Sequence, residues 1–199
     1  MDMTLKAKLS YLLGLVLLFC AGMWAASEDF FQNNQPNTYT TLGGDFTLNS
    51  HTGEVNLKDF RGKLVALYFG FMSCPDVCPT ALSSLSAALR SLNTKQQNQI
   101  QPLFISVDPA RDTLENIAAF STYFHPSMKG LSGDLDYLEK LTRQYGAYFR
   151  HIPLEDSALG YTVDHTSRIY IINQDGVLIE TIPHATPVTK IVTILEKYL

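Results

Sequence analysis

The sequence predicts an α/β domain in which a central mixed β-sheet is flanked by helices. Short apolar or alternating segments, typical of strands, take turns along the chain with longer segments whose leucines recur every three or four residues, as on the buried face of a helix. Helical segments separate the strands in the middle of the chain, which favours parallel pairing, whereas hairpins near both ends favour antiparallel pairing. The sheet is therefore expected to be mixed.

The predicted strands start with a hairpin made by residues 45–48 and 54–57 around a Ser-His-Thr-Gly turn. The remaining predicted strands are 64–71, 101–107, 129–131, 147–151, 168–172 and 177–180, the last two joined as a second hairpin. The first predicted helix carries the leucine stripe Leu82, Leu85, Leu89 and Leu92, and the second opens at a capping box of Asp112 and Glu115 and runs to about Tyr123. The third carries Leu135, Leu138, Leu141 and Tyr145 and stops near Gly146. The last starts at Thr186-Pro187, and its core face is formed by Val188, Ile191, Val192, Leu195 and Tyr198. These elements predict one domain over residues 42–199.

The N-terminal segment indicates that the protein is located at a membrane. Residues 1–8 contain Lys6 and Lys8, and residues 9–26 carry no charge, which gives about 27 Å of helix, close to the apolar thickness of a bilayer. Lysines before such a run place the start in the cytoplasm and everything after residue 26 outside it. We expect an uncleaved transmembrane anchor, with a cleaved signal peptide as the alternative, because the run exceeds the usual length of a signal. Residues 27–41 are polar and predict a linker.

Charge excludes one class of function. The chain has 15 basic and 19 acidic side chains and no cluster of lysines or arginines. Proteins that bind nucleic acid usually concentrate positive charge on one face. We therefore expect no nucleic-acid partner.

Cys74 and Cys78 lie directly between the predicted strand 64–71 and the following helix. Residues four apart on a first helical turn share one face, so the two thiols can close a disulfide or bind one soft metal ion together. The partial positive charge of a helix N-terminus stabilises thiolates. A buried pair or a structural disulfide is the plainer alternative, but the intervening Pro-Asp-Val and the following Pro79 favour a surface turn. The third cysteine, Cys20, lies in the apolar run and is expected to be inert.

A cysteine pair at a strand-to-helix turn is the layout of a thioredoxin-like fold, although such redox motifs have two intervening residues and this chain has three. In that fold the loop entering the strand at 168–172 comes alongside the cysteines, and in the oxidoreductases it carries a cis-proline. Here that loop holds Asp164-His165-Thr166 instead. Two thiolates and an imidazole form a soft three-coordinate set that suits Cu(I), can hold Cu(II) with a further ligand, and could also bind zinc.

At these residues the sequence resembles the Sco/SenC family of copper-binding proteins in cytochrome c oxidase assembly. The matching segments, in the family's order, are Asp59-Phe60-Arg61-Gly62-Lys63, Tyr68-Phe69-Gly70-Phe71, Cys74-Pro75-Asp76-Val77-Cys78-Pro79-Thr80, Ser106-Val107-Asp108-Pro109-Ala110-Arg111-Asp112-Thr113 and Val163-Asp164-His165-Thr166. The chain departs from the commonest form at Met72-Ser73 and at Thr166, neither of which removes a ligand.

The resemblance implies a thioredoxin-like domain anchored in the bacterial inner membrane by a single pass and facing the periplasm. It implies copper, as Cu(I) or Cu(II), as the cofactor, with Cys74, Cys78 and His165 as its ligands and the two cysteines as a redox-active pair. The expected partners are cytochrome c oxidase subunit II or another copper acceptor, and other periplasmic copper chaperones or thiol reductants. The expected function is delivery of one copper ion to the dinuclear copper centre of the oxidase.

A second function remains open from the residues. Cys74 and Cys78 could serve a thiol–disulfide oxidoreductase that reduces the cysteines of the oxidase copper site or of other periplasmic partners, since a periplasm oxidises an unprotected thiol pair. A metallochaperone is favoured over such an enzyme. A peroxidase of the peroxiredoxin type is disfavoured because its Pro-x-x-x-Thr-x-x-Cys pattern is absent.

Residues around the expected site receive lesser roles. Asp76 and Asp164 could tune it, Asp164 by fixing the His165 tautomer, and Met72 could contact a metal transiently or pack under the loop. Asp108, Arg111 and Asp112 are expected to form a structural turn and a helix cap. His51, His125, His151 and His184 occur singly and are expected to be solvated.

Overall fold

The computed structural model describes residues 42–155, 157 and 160–199, together with Leu12 and Leu15. The chain divides into two units, Met1–Thr38 and Tyr39–Leu199. Apart from two leucines, the predicted n-region and anchor lie outside the described residues, as do Cys20 and the linker up to residue 41. Within the described part of the chain, no helix has both the length and the apolar character needed to cross a bilayer.

The second unit contains nine strands and five α-helices among its described residues. The strands are β1 (Thr47–Ser50), β2 (Gly53–Asn56), β3 (Leu64–Gly70), β4 (Ile100–Ser106), β5 (Lys129–Leu131), β6 (Phe149–Pro153), β7 (Tyr161–His165), β8 (Arg168–Ile172) and β9 (Leu178–Pro183). The helices are α1 (Val77–Ser91), α2 (Thr94–Asn98), α3 (Leu114–Phe124), α4 (Leu135–Gln144) and α5 (Val188–Lys197), with a 3-10 turn at Leu57–Phe60.

A five-stranded mixed sheet forms the centre of the domain, in the order β5-β4-β3-β8-β9. β3 pairs parallel with β4 and antiparallel with β8, so it lies in the middle of the sheet. Every residue of β3 and of β4 is buried, which is what continuous apolar runs covered on both faces require. The mixed sheet flanked by helices is therefore confirmed, and it fixes the end of β3 firmly in the core.

Helices cover the sheet as their leucine spacing predicted. α1 buries Leu82, Leu85 and Leu89 and contacts α5, which buries Ile191 and Leu195. α3 contacts β5, the edge strand next to β4. The helix that carries Cys78 is thus fixed by its buried leucines and by its contact with α5.

Residues 161–165 form a strand, where the sequence predicted a loop. β7 pairs antiparallel with β6, and the two make a separate ribbon outside the central sheet. The predicted strand at 147–151 is confirmed with its start shifted to Phe149. The ribbon ends at His165, so this histidine belongs to a paired strand and not to a loop.

Two further expectations were wrong. α3 is capped by Thr113, whose side chain accepts a hydrogen bond from the Asn116 N–H, and not by Asp112, because Asp112 is buried and bonded elsewhere. His125 is buried and not solvated, with its Nδ1 2.8 Å from the Ser127 hydroxyl. In both cases a tertiary contact decided the side chain's position.

Candidate metal centre

The turn from β3 to α1 places the two cysteines. β3 ends at Gly70 and α1 begins at Val77, so Cys74 lies in the connecting turn and Cys78 in the first turn of the helix. The N–H of Cys78 points at the sulfur of Cys74, 3.3 Å away. An N–H at a helix start is an unsatisfied donor, and here a thiol sulfur accepts from it.

Gly70 allows the Cys78 sulfur to lie directly against the end of β3. A Cβ at this position would come within 3.0 Å of the Cys78 Sγ and equally close to the rings of Tyr68 and Phe104. Such a contact is shorter than real Cβ atoms normally make, so any side chain here would have to push the sulfur or a buried ring aside. Glycine is needed for close approach at this position.

His165, at the end of β7, points its ring at the same sulfur. Its Nε2 lies 3.2 Å from the Cys78 Sγ. Its Nδ1 lies 3.2 Å from the backbone carbonyl of Thr166, which can only accept, so Nδ1 carries the proton and Nε2 presents a lone pair. The rings of Phe71 and Tyr68 meet the imidazole edge-on, at centroid distances of 5.8 and 6.0 Å.

The structure thus brings together all three residues predicted as metal ligands. The sulfurs of Cys74 and Cys78 and a ring nitrogen of His165 all lie within 4.8 Å of one another. Both thiols are free, Cys78 is fully buried, Cys74 is 8 % exposed and His165 is half-buried. One ion placed among these atoms could be reached by all three with small side-chain shifts.

The two thiols differ in acidity. The contact with the Cys78 side chain holds the pKa of Cys74 well below its usual range, and the N–H groups of Cys78 and Asp76 act in the same direction against the effect of burial. The pKa of Cys78 is raised by its contact with Cys74 and by burial. The pair therefore holds one proton, on Cys78, and the more exposed Cys74 is the thiolate.

The family model described as SCO1/SenC matches residues 34–199, which is most of the chain. The chain belongs to the SCO1/SenC family.

Relatives and solved structures agree with this membership. The chain is 38% identical over 158 residues to the mitochondrial SCO2 homolog of Bos taurus, a match that covers 78% of this chain and 59% of the bovine protein. It is 35% identical to Bradyrhizobium japonicum ScoI, solved with copper bound, with a TM-score of 0.71 over 79% of this chain and 99% of that one. Yeast Sco1 with copper bound is also 35% identical, with a TM-score of 0.69 over 80% and 91% of the two chains. The fold is thus the thioredoxin-like fold of Sco structures.

The chain spans about three fifths of the length of the bovine relative.

Neither the Asp164 nor the Asp76 carboxylate is seen in the tuning role expected for it in this Sco-family site, although the Asp76 N–H acts on Cys74. The Asp164 carboxylate lies 3.4 Å from the Tyr148 hydroxyl and 3.8 Å from Arg150, and the carbonyl of Thr166 takes the place expected for it beside His165. The Asp76 carboxylate accepts from the Thr80 hydroxyl at 3.1 Å, one turn along α1. Strand alternation explains the first result, because Asp164 faces away from its neighbour His165.

Met72 is half-buried and packed against the core, which agrees with the plainer expectation for it.

Sequence reasoning missed a buried acid that holds the cysteine turn. The Asp112 carboxylate, 5 % exposed, accepts from the Met72 N–H at 2.9 Å and from the Ser106 hydroxyl at 2.6 Å. The signal was present in the sequence as an Arg-Asp-Thr run just after a buried strand, but the position of Asp112 two residues before a helix favoured a cap. Ser106, at the end of β4, carries no sequence signal that distinguishes it from an ordinary turn residue.

Proposed function

We propose that this protein binds one copper ion through Cys74, Cys78 and His165 and delivers it to an acceptor in the maturation of the dinuclear copper centre of cytochrome c oxidase. The observation that carries the proposal is the convergence of two sulfurs and an unprotonated imidazole nitrogen within 4.8 Å. Such a donor set is soft, and thiolates with imidazole select copper over the hard cations.

The arrangement of the three ligands fits a site that must release its metal. Cys78 is buried against Gly70, whereas Cys74 is slightly exposed and His165 is half-buried. Because Cys74 and His165 keep some exposure and Cys78 has none, we expect an acceptor protein to exchange those two ligands before Cys78. Cys78 has to give up its proton when it ligates a metal, which makes binding dependent on pH.

Subunit II of the oxidase is proposed as the acceptor on the strength of the family resemblance, with another copper protein as the alternative. The lysines and the uncharged run at residues 9–26 support anchoring in the bacterial inner membrane with the domain in the periplasm.

A copper titration tests the site. The purified full chain, in a Cys20→Ala background that removes the third thiol, is reduced and titrated with Cu(I) against a chromophoric competitor. We expect one tightly bound ion, with affinity lost in Cys74→Ala, Cys78→Ala and His165→Ala and kept in the control His51→Ala, whose histidine is exposed in the turn between β1 and β2. Binding that does not depend on His165 would overturn the three-ligand site.

The acidity of Cys74 favours a second candidate function, thiol–disulfide exchange. The Cys74 thiolate would attack a partner's disulfide to form a mixed disulfide, and Cys78, after losing its proton, would displace the partner's sulfur. The pair is then oxidised to a disulfide, while the partner gains two electrons, the proton from Cys78 and a second proton from the solvent. Reduction of a model disulfide peptide that survives in His165→Ala but not in Cys74→Ala would support this activity, and inertness of the reduced native chain would exclude it.

A further inference from the structure

The loop between β4 and α3 lies behind the candidate metal centre and contacts both of its halves. On the cysteine side, Asp112 accepts from the Met72 N–H, two residues before Cys74. On the histidine side, Asp108 and Arg111 contact the ribbon formed by β6 and β7. The same short turn, closed by hydrogen bonds from the N–H groups of Arg111 and Asp112 to the Asp108 carbonyl, therefore reaches both sets of ligands.

Asp108 is a fully buried acid with partners from two elements. Its carboxylate accepts from Nε of Arg111 at 2.6 Å and from the hydroxyl of Tyr161, at the start of β7, at 2.7 Å. His151 of β6 places its Nε2 3.8 Å from the same carboxylate. A buried carboxylate needs such partners, because burying a charge without them is costly.

Arg111 holds the ribbon by a second route. Its Nη1 donates to the backbone carbonyl of Tyr161 at 2.8 Å, and its guanidinium lies 3.7 Å from the centroid of the Tyr161 ring. With its bond to the Asp108 carboxylate, Arg111 makes three contacts. A planar guanidinium can make all three at once, whereas the ammonium group of a lysine cannot. Tyr161 is thus fixed through its hydroxyl, its ring and its backbone.

The ribbon lies outside the central sheet and is joined to the domain through side chains. Among the described residues, β6 and β7 pair only with each other, Val163 is buried in the core, and β7 ends at His165. The guanidinium of Arg111 also lies 6.0 Å from the centroid of Phe71, whose ring meets the imidazole of His165 edge-on. The contacts of Asp108 and Arg111 with Tyr161 at the start of β7, and the aromatic contact of His165 at its end, therefore constrain one strand of five residues.

We propose that Arg111, Asp108 and Tyr161 form a clamp that positions His165 against Cys78, so that they are positioning residues of the metal site. The proposal rests on the proposed copper site for its function. The positioning itself can be measured without any metal.

The metal-free test follows the imidazole of His165 by NMR. In the native chain the rings of Phe71 and Tyr68 shift the His165 ring protons away from ordinary histidine values, because both rings meet the imidazole edge-on. We expect Arg111→Lys and Tyr161→Phe to move these resonances toward the ordinary values while the amide resonances of β3 and β4 stay in place. Arg150→Lys is the matched control, since Arg150 lies on the same ribbon but is exposed and 3.8 Å from its acidic neighbour. Unchanged His165 resonances in both clamp variants would overturn the proposal.

A double-mutant cycle tests the consequence for the metal. We expect Arg111→Lys to weaken Cu(I) binding by about 10- to 100-fold, the range in which residues that orient metal ligands act. Combined with His165→Ala, it should cause no further loss, since the clamp acts through His165. A loss of equal size in both backgrounds would overturn the clamp, because it would reflect general loosening of the fold.

The two proposals fail in different ways. If the His165 resonances respond to the clamp variants but His165→Ala binds copper as tightly as the native chain, the clamp is real and the three-ligand site is wrong. If His165→Ala abolishes binding while the clamp variants leave both resonances and affinity unchanged, the site is real and the clamp is wrong.

Discussion

At the scale of single residues, the candidate centre depends on environment more than on residue type. Cys74 and Cys78 are chemically identical, yet the pKa of the first is lowered and the pKa of the second is raised. The sequence supported lowered pKa values at a helix start for both thiols, but it could not say which cysteine keeps the proton. That assignment depends on how deeply each sulfur is buried, and the packing of Gly70 and Tyr68 around Cys78 is not visible in the sequence.

This asymmetry predicts selective alkylation of Cys74 by iodoacetamide. Because its pKa is lowered, the rate at Cys74 should stay nearly constant between pH 8 and 6, whereas an ordinary thiol loses about tenfold per pH unit below its pKa. Cys78 should remain unmodified in the native state. Peptide mapping by mass spectrometry measures both rates. In Cys78→Ala the pH dependence of Cys74 should move upward, since the contact that lowers its pKa most is gone, and an unchanged profile would contradict the assignment.

Asp112 predicts a pH-dependent stability. Burial raises its pKa above the usual 3.8, against the opposing hydrogen bonds from Ser106 and Met72. The folded state thus binds the proton more tightly than the unfolded state, so the stability from this group is complete below pH 3.8 and is lost as pH rises through the raised value. Asp112→Asn cannot titrate.

The free energy of unfolding of the native chain, measured in urea, should therefore fall relative to Asp112→Asn as pH rises from 3.5 to 7. The slope cannot exceed about 1.4 kcal/mol per pH unit. The exposed Asp136→Asn serves as the control for the substitution itself. A native chain that gains stability relative to Asp112→Asn over this range would show that the hydrogen bonds outweigh burial.

At the scale of elements, periodicity predicted nearly every helix and strand, and failures occurred where tertiary contacts compete. β5 was predicted at its observed residues, and the leucine stripe of α1 is buried as expected. β7 was missed although Tyr161 and Val163 alternate with polar residues, because five residues beside a turn give a weak period-2 signal. Its partner β6 was predicted, but its pairing with β7 in a separate ribbon, and the contacts of that ribbon with Asp108 and Arg111, leave no local pattern in the sequence.

The cap of α3 gives a test at this scale. Thr113→Ala removes the side-chain acceptor for the Asn116 N–H and should lower the free energy of unfolding by about 1 kcal/mol. Thr122→Ala, in the last turn of the same helix and exposed, should change it by less than about 0.5 kcal/mol. Equal effects of the two substitutions in denaturant unfolding would contradict Thr113 as the cap.

At the scale of the whole molecule, stability is concentrated away from the ribbon. β3 and β4 are buried over their full lengths in the centre of the sheet, whereas β6 and β7 contain mostly exposed or half-buried residues. The mixed sheet could be predicted from the order of elements, and the meeting of His165 with the cysteines followed from that topology. The clamp could not, since it joins residues about 50 positions apart through side chains that look like an ordinary turn.

Hydrogen exchange measures this distribution. Amides of β3 and β4 should exchange only through global unfolding, and those of β6 and β7 through local opening with lower protection. Arg111→Lys should lower protection in the ribbon further and leave the central strands unchanged. Equal protection in ribbon and sheet would show that the ribbon unfolds only together with the core.

The separation of the ligands along the chain has a consequence during synthesis. Cys78 and His165 are 87 positions apart, and the histidine ends β7, which is one of the last three strands. At about 5–20 residues per second, roughly 4 to 17 seconds pass between the addition of the second thiol and the addition of the imidazole. During that interval the growing chain carries both sulfurs without the nitrogen, so it can form a disulfide but not the three-ligand site. The thiol pair therefore has to stay reduced until about five sixths of the polypeptide has been made.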